Sequence, residues 1–187
     1  MNEVEKCIRE RRSTPRFKRV PVARELVERV IEAGLWAPSG MNKQSPIIVA
    51  VTNRKLRDEL AEENRRIMGA PEGMDPFYGA PVVPVVLANA VAPTRVYDGS
   101  AAIENMLLAA TAMGLGSVWL GSYDGPALRR LYNIPESVVP VGVVYFGYPD
   151  QERPPISWYT PEAVYWDRYD PERVRNLRTI DMLKEDP

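Results

Sequence analysis

The sequence predicts an α/β or α+β sandwich in which helices cover both faces of a central β-sheet. Four short apolar, β-branched runs bounded by Pro, Gly or Asn predict strands, and stretches with helical spacing lie between them. At 187 residues the chain has the length of one domain with a sizeable core. We therefore expect a single domain over residues 1–187.

The first clear helix is predicted over residues 23–36. Its apolar side chains recur at spacings of three and four, with charges between them, and Pro21 stands just before its start. This pattern predicts an amphipathic helix with one buried face. Weaker signals predict further helices over residues 3–12, 54–68, 126–132 and 171–183.

A second clear helix is predicted over residues 98–113. Asp98, Gly99 and Ser100 are its N-cap candidates, and it stops at Gly114. Glu104 is the one charge inside it, so we expect this helix to be largely buried.

The strands are predicted over residues 47–52, 82–88, 117–120 and 139–146. Their near-continuous apolar character predicts burial on both faces of the sheet. Pro84 and Pro140 lie inside two of them and lack a backbone N–H. They indicate strand starts or edges rather than uninterrupted central pairing.

Two segments have an irregular composition. Residues 64–80 combine turn residues with apolar anchors and predict a flexible surface excursion, in which Phe77 and Tyr78 are either substrate-pocket residues or loop anchors. Residues 149–171 are rich in proline and aromatic residues, and this stretch is too apolar for a disordered tail. We expect them to form an extended arm packed along another surface, such as a second subunit.

Composition excludes several classes of chemistry. The chain has one cysteine, Cys7, and no histidine, which excludes a disulfide framework, a Cys/His zinc site and a Ser-His-Asp device. The 24 basic and 25 acidic residues give a net charge of −1, so no basic footprint for nucleic acid is expected. The N-terminal residues lack an apolar signal region, and no run is long enough to span a bilayer. We expect a cytoplasmic protein with neither membrane nor nucleic-acid partners.

The first segment that carries chemistry is a basic cluster at the end of the first predicted helix. Arg11 and Arg12 stand beside Ser13 and Thr14, and guanidinium forks with hydroxyl donors are what a phosphate monoester requires. The same pattern is also typical of a solvated basic helix end.

The second segment, residues 37–44, connects a predicted helix to a predicted strand. Backbone N–H groups, the Asn42 and Gln44 amides and the Lys43 ammonium group suit a planar heterocycle with donors and acceptors along one edge. An ordinary helix-to-strand turn would have a similar sequence.

The third segment, residues 114–122, is rich in glycine. No histidine is present to activate Ser117 or Ser122, and no G-x-S-x-G pattern occurs, so a hydrolase is disfavoured. The glycines follow a helix rather than a strand, so they are not a dinucleotide fingerprint. A strand that ends in Gly121 and Ser122 nevertheless lets backbone N–H groups approach a ligand closely.

In this order and spacing the three segments resemble the nitroreductase family of FMN-dependent oxidoreductases, and the resemblance covers nearly the whole chain. The matching stretches are RRSTPRF, VIEAGLWAPSGMNKQ, AAIENMLLAATAMGLGSVWLGS and YFGYP. The resemblance implies an α+β nitroreductase-like fold with a central mixed β-sheet flanked by helices. It also implies a homodimer with FMN at the subunit interface, in which residues of about 149–187 embrace the partner.

The resemblance also implies cofactor-binding positions. Arg11 and Ser13 resemble the family's FMN-phosphate ligands, with Arg12 as their neighbour, and Gly121 and Ser122 match the segment whose backbone lies over the flavin near N5. The loop that faces the isoalloxazine and ribityl groups is matched by Pro38, Ser39, Asn42 and Gln44.

The chain departs from the family at the third phosphate contact. Pro15 stands where the family usually has a basic residue, and Arg16 is displaced by one position. Arg153 is the nearest candidate for the basic residue that relatives supply from near the C-terminus.

The function implied by the resemblance is hydride transfer from NAD(P)H, through N5 of bound FMN, to a small planar acceptor by a ping-pong cycle. The acceptor classes are nitroaromatics, quinones and flavins, and no side chain is needed as a catalytic acid or base. Two alternatives stay open: a flavin-binding storage or sensing protein without turnover, and a flavin-consuming or dehalogenating relative.

Overall fold

The computed structural model describes residues 1–152 and 164–168. The chain divides into two compact units, Met1–Arg153 and Pro154–Pro187, and the elements named below all belong to the first. The predicted helix over residues 171–183 and most of the predicted arm over 149–187 lie outside the described residues, as does Arg153. Within the described ranges, no helix combines the length and the apolar character needed to cross a membrane.

Among the described residues, four antiparallel strands form one sheet: β1 (Pro46–Val51), β2 (Val83–Asn89), β3 (Gly116–Leu120) and β4 (Val138–Gly147). Their order is β1-β2-β4-β3, so β2 and β4 are central and β1 and β3 are edges. The four predicted strands are confirmed, with ends shifted by one residue at most. The mixed character that was expected is limited, in the described residues, to an isolated parallel bridge between Ser13 and Ser117.

In the part of the chain that the structure describes, five α-helices flank this sheet: α1 (Glu3–Glu10), α2 (Arg24–Leu35), α3 (Arg54–Ile67), α4 (Arg95–Ala112) and α5 (Gly125–Tyr132). Side chains of α2 and α4 pack on one face of the sheet, and those of α3 and α5 pack on the other. The result is a three-layer α+β fold.

Side chains of the central strands alternate between the two faces of the sheet, which explains why helices cover both faces. Val83 and Val85 of β2 belong to the core shared with α3 and α5, whereas Val82 and Val86 belong to the core shared with α2 and α4. Successive side chains of a strand point to opposite faces, so a strand that is apolar throughout needs cover on both sides.

Both prolines lie in central strands rather than at an edge. Pro84 is the second residue of β2, so it interrupts little of the ladder. Pro140 of β4 pairs with Leu87 beside a register shift between Val86 and Leu87. The prediction of a strand start holds for Pro84, and the irregularity in pairing accommodates Pro140.

The start of α4 differs from the prediction. The helix begins at Arg95 with Thr94 as its N-cap residue, so Asp98, Gly99 and Ser100 lie inside it rather than capping it. Gly99 lies inside α4, and because it has no side chain the helix can lie directly against Val141 of β4. An added Cβ would come within 2.7 to 2.9 Å of three Val141 side-chain atoms.

We predict that Gly99→Ala destabilises the protein, although alanine is normally better than glycine inside a helix. The added methyl group must displace Val141 or α4, and such overpacking costs about 1 to 3 kcal/mol. Urea unfolding monitored by circular dichroism measures the effect. Gly125→Ala in α5 is the matched control, because nothing lies within 4 Å of its added Cβ. Equal stability of the two variants would contradict the close contact between α4 and β4.

Candidate functional site

The segment that carries Arg11 and Ser13 passes from α1 to the edge of the sheet. Asn2 caps α1, since its side chain accepts the Glu5 N–H at 2.9 Å. The helix ends where the Arg11 N–H donates to the Cys7 carbonyl at 2.9 Å. The chain then runs alongside β3, where the Thr14 N–H donates to the Ser117 carbonyl at 3.1 Å. Ser13 is therefore an exposed residue beside edge strand β3.

The two arginines before Ser13 have different surroundings. Arg12 Nη1 donates to the carbonyls of Arg9, at 2.6 Å, and Arg11, at 2.8 Å, so this guanidinium covers the carbonyl end of α1. Arg11 instead faces α4, with Nε 3.7 Å from the Glu104 carboxylate. Of these two arginines, Arg11 is therefore the one that does not cover the helix end, and its side chain is partly exposed beside Glu104.

The loop of residues 38–44 has an unusual backbone. Met41, Asn42 and Gln44 all have positive φ, at 54°, 52° and 47°, which non-glycine residues adopt only at a cost in free energy. Ser39 closes the loop, because its Oγ accepts the Gln44 N–H at 2.7 Å. The Asn42, Lys43 and Gln44 side chains are exposed. The loop thus presents amide and ammonium groups to the surface on a constrained backbone.

Asp98 holds this loop from below. Its carboxylate is buried, with 3% of the residue exposed, and accepts the Gly40 N–H at 2.9 Å and the Ser45 hydroxyl at 2.6 Å. Thr94 Oγ1 donates to the same carboxylate at 3.0 Å. The Ser45 hydrogen bond, with those of Gly40 and Thr94, lowers the pKa of Asp98 against the opposing effect of burial.

Sequence reasoning missed this role of Asp98, because a polar residue near a helix start suggested a cap. The available signal was an aspartate inside a helix that is otherwise largely apolar. Asn105, on the same helix, donates from Nδ2 to the Ala33 carbonyl at 3.1 Å and joins α4 to α2.

Gly121 and Ser122 follow the last residue of β3, and both are exposed. Nothing lies within 4 Å of the position that a Cβ of Gly121 would occupy. The backbone is therefore open to a ligand here. Ser117, four residues earlier, has a buried hydroxyl with no hydrogen-bond partner among the residues described.

Register places the predicted site residues at two different edges of the sheet. Ser13 lies outside β3, whereas Gln44 lies just before Pro46, the first residue of the opposite edge strand β1. Ser13 bridges to Ser117, Ser117 pairs with Phe146, and Phe146 bridges to Val82, so Ser13 lies level with Val82 across the sheet. Pro46 pairs with Ala88, which is six residues after Val82. At about 3.3 Å per residue and about 4.8 Å per strand, Ser13 and Pro46 are more than about 20 Å apart. Within one chain, Ser13 and Gly121 therefore lie at the β3 edge of the sheet, whereas residues 38–44 lie at the β1 edge.

Phe77 and Tyr78 do not share one environment. Phe77 is completely buried, with its ring 5.5 Å from that of Tyr145 and beneath the Arg57 guanidinium, so the structure makes it a loop anchor rather than a pocket residue. Tyr78 is 41% exposed and lies in a surface groove with Arg16, Lys18 and Arg19. Only Tyr78 remains available as a substrate-pocket side chain.

The described residues contain no cluster of three or more His, Cys, Asp or Glu side chains suited to a metal ion. The groups that the site offers are instead guanidinium, hydroxyl, amide and backbone N–H groups. These groups bind phosphate and planar heterocycles rather than metals.

Comparisons with known proteins show which family this chain resembles. A family model described as "Nitroreductase family" matches residues 8–148. A protein of Archaeoglobus fulgidus named as an NADH dehydrogenase/NAD(P)H nitroreductase is 33% identical over 93% of this chain and 97% of its own. An NADPH-flavin oxidoreductase of Vibrio harveyi is 32% identical over 99% of this chain and 82% of its own. The crystal structure of a nitroreductase with bound FMN from Desulfitobacterium hafniense superposes with a TM-score of 0.80 at 27% identity, covering 90% of this chain and 100% of that one.

We predict that Asp98→Asn lowers the free energy of unfolding at pH 7 by about 1 to 3 kcal/mol, because a buried charged acceptor of three hydrogen bonds is lost. The pKa of Asp98 is lower in the folded state than in the unfolded state. Its stabilisation is therefore present above about pH 4 and is lost as the pH falls through the folded-state value. Urea unfolding of both proteins across this range measures the difference, which shrinks toward acid pH.

Asp124→Asn is the control for this prediction. Asp124 accepts the Ala127 N–H at 3.1 Å as the N-cap of α5, and asparagine caps helices about equally well. A loss of stability as large for Asp124→Asn as for Asp98→Asn would contradict the special role of the buried carboxylate.

Proposed function

The chain belongs to the nitroreductase family, and from that premise we propose that it is an FMN-dependent oxidoreductase that passes a hydride from NAD(P)H to a small planar acceptor. The acceptors that we propose are nitroaromatics, quinones or flavins, reduced in a second half-reaction after the donor has left. The flavin acceptor is supported by the relative named as an NADPH-flavin oxidoreductase.

The observation that carries this proposal is that two candidate ligand-binding segments lie along one edge strand. Ser13 bridges to Ser117 of β3, and Gly121 follows four residues later, about 13 Å along the strand. Arg11 and Ser13 suit a phosphate group at one end, and the open backbone at Gly121 suits a planar ring at the other. These residues fit FMN, which carries a phosphate and a planar ring at opposite ends.

We propose that the loop of residues 38–44 completes the site of a second subunit. In one chain this loop lies at the opposite sheet edge from Ser13, so both segments reach one flavin only if two copies associate. The loop itself and the neighbouring ends of α2 and α4 expose large apolar side chains, which mark protein interfaces. These side chains are Leu35, Trp36, Met41, Val96 and Tyr97, exposed by 52%, 78%, 72%, 55% and 76%.

Bound FMN supplies the redox chemistry of such an enzyme. The chain's own residues bind and orient: Arg11 and Ser13 hold a phosphate, and the Gly121 backbone approaches a ring. The cationic side chains of Lys43 and Arg11 favour negative charge in the site. With no histidine in the sequence, we assign no side chain a role in proton transfer.

We predict that the purified protein has a visible flavin absorption spectrum, that the released chromophore is FMN, and that it is equimolar with the chain. Addition of NAD(P)H without oxygen should bleach the spectrum, and a quinone or nitroaromatic should restore it. Bound flavin without NAD(P)H oxidation would favour a storage or sensing protein instead. A colourless protein that takes up no FMN would overturn the proposal.

A mixing experiment tests the shared site. Arg11→Gln and Asn42→Ala chains are each expected to bind FMN weakly alone, since each defect affects both sites of a homodimer. When the chains are mixed and refolded together, half of the dimers are mixed, and one of their two sites is intact. About one quarter of all sites should then bind FMN at the wild-type affinity. If each site were built from one chain, mixing would restore none.

A further inference from the structure

Glu104 is a charged residue in a stretch of α4 that is otherwise uncharged. Between Gly99 and Ala112 it is the only charged residue of the sequence. Its side chain is half-exposed, and its Oε1 lies 3.7 Å from Nε of Arg11. Neither the resemblance nor the proposed function gives Glu104 a role, although its partner Arg11 is the proposed phosphate ligand.

The packing of α4 fixes where this carboxylate stands. Ile103, the residue before Glu104, is completely buried, and its Cδ1 lies 2.8 Å from the position that a Cβ of Gly142 in β4 would occupy. Asn105, the residue after it, donates from Nδ2 to the Ala33 carbonyl of α2 at 3.1 Å. The helix backbone at Glu104 is therefore held between the sheet and α2.

Arg11 is the guanidinium of this segment on which phosphate binding depends. Nη1 of Arg12 donates to the carbonyls of Arg9 and Arg11 at the end of α1, and Pro15 brings no charge. Arg11 and Ser13 are two residues apart, so their Cα atoms are separated by at most about 7 Å. One phosphate group can contact both side chains. The charge that Arg11 offers to this phosphate is partly offset by Glu104.

Glu104 acts on such a phosphate in two opposing ways. It orients Arg11, but only weakly, because ion pairs between exposed side chains are worth little in water. It also repels the phosphate, since two anions that contact one guanidinium lie within about 8 Å, the Debye length at physiological ionic strength. At that range repulsion lowers affinity about twofold to threefold for each unit of charge, and a phosphate monoester carries nearly two units. Repulsion is therefore the larger effect.

We propose that Glu104 is a specificity-determining residue of the phosphate subsite. Its carboxylate offsets part of the Arg11 charge, so FMN is bound less tightly than Arg11 and Ser13 alone would bind it. The preference for FMN over riboflavin, which has the same ring and ribityl chain without the phosphate, is reduced accordingly. The inference rests on the proposed function, which supplies the flavin.

The test is equilibrium dialysis of the full-length chain against FMN and, separately, against riboflavin. Glu104→Gln should bind FMN about fivefold more tightly than the wild type and should bind riboflavin equally well, because only FMN carries the repelled charge. The gain should shrink at 1 M salt, where the Debye length falls to about 3 Å. Glu104→Asp keeps the charge and should stay within about twofold of the wild-type FMN-to-riboflavin ratio.

Glu136→Gln is the matched control. Glu136 pairs with Nη2 of Arg129 at 3.8 Å, so this variant loses the same charge from a similar ion pair. Glu136 lies two residues before Val138, the first residue of β4, whereas Ser117 pairs with Phe146 near the last. Glu136→Gln should therefore change neither dissociation constant.

The possible outcomes separate this inference from the proposed function. An unchanged FMN-to-riboflavin ratio in Glu104→Gln would overturn the inference, and so would a selective loss of FMN affinity, which would make Glu104 a residue that positions Arg11. In both cases FMN binding by the wild type leaves the proposed function standing. A wild-type chain that binds neither flavin would overturn both. Thermal unfolding followed by circular dichroism checks that the variants are folded.

Discussion

The close packing of α4 against the sheet and against α2 is the constraint on which the candidate site depends. Gly99 lets α4 contact Val141, and Gly34 lets α2 contact Met106, whose Cγ would lie 2.7 Å from a Cβ there. Because glycine has no side chain, α4 lies closer to α2 and to β4 than larger residues at these positions would allow. With its position fixed in this way, α4 carries Asp98 beneath the loop of residues 38–44 and Glu104 beside Arg11. A single buried helix thus positions groups at both edges of the sheet.

Two carboxylates, those of buried Asp98 and partly buried Asp75, each hold a loop by accepting hydrogen bonds from its backbone. Asp98 accepts a backbone N–H and two hydroxyl groups beneath the loop that contains Met41 and Asn42 in left-handed conformations. Asp75 accepts two backbone N–H groups and pairs with Arg57 beside the left-handed Tyr78. In both cases charge-assisted hydrogen bonds offset the cost of unfavourable φ values. These hydrogen bonds therefore hold both loops in defined conformations.

The helices and strands were largely predictable because burial on both faces leaves a strong hydrophobic pattern. The boundaries of β1 to β4 follow from short apolar runs, and α2 follows from its amphipathic spacing. The start of α4 was not predictable from local signals, since Asp98 and Gly99 look like a helix start and are instead a buried anchor and a packing contact. Phe77 was likewise ambiguous, because an aromatic residue in a glycine-rich loop is equally compatible with the surface and with the core.

The sequence by itself determined the elements, the excluded chemistries and the segments with ligand-binding groups. It did so because residue type and spacing act locally: no histidine means no imidazole, and a glycine after a strand means an open backbone. Only the tertiary structure decided which of these segments meet. Strand order places Ser13 with Gly121 at one edge and residues 38–44 at the other, and it collects Arg16, Lys18 and Tyr78 into one groove. Such encounters depend on pairing between residues far apart in the chain, which no local pattern encodes.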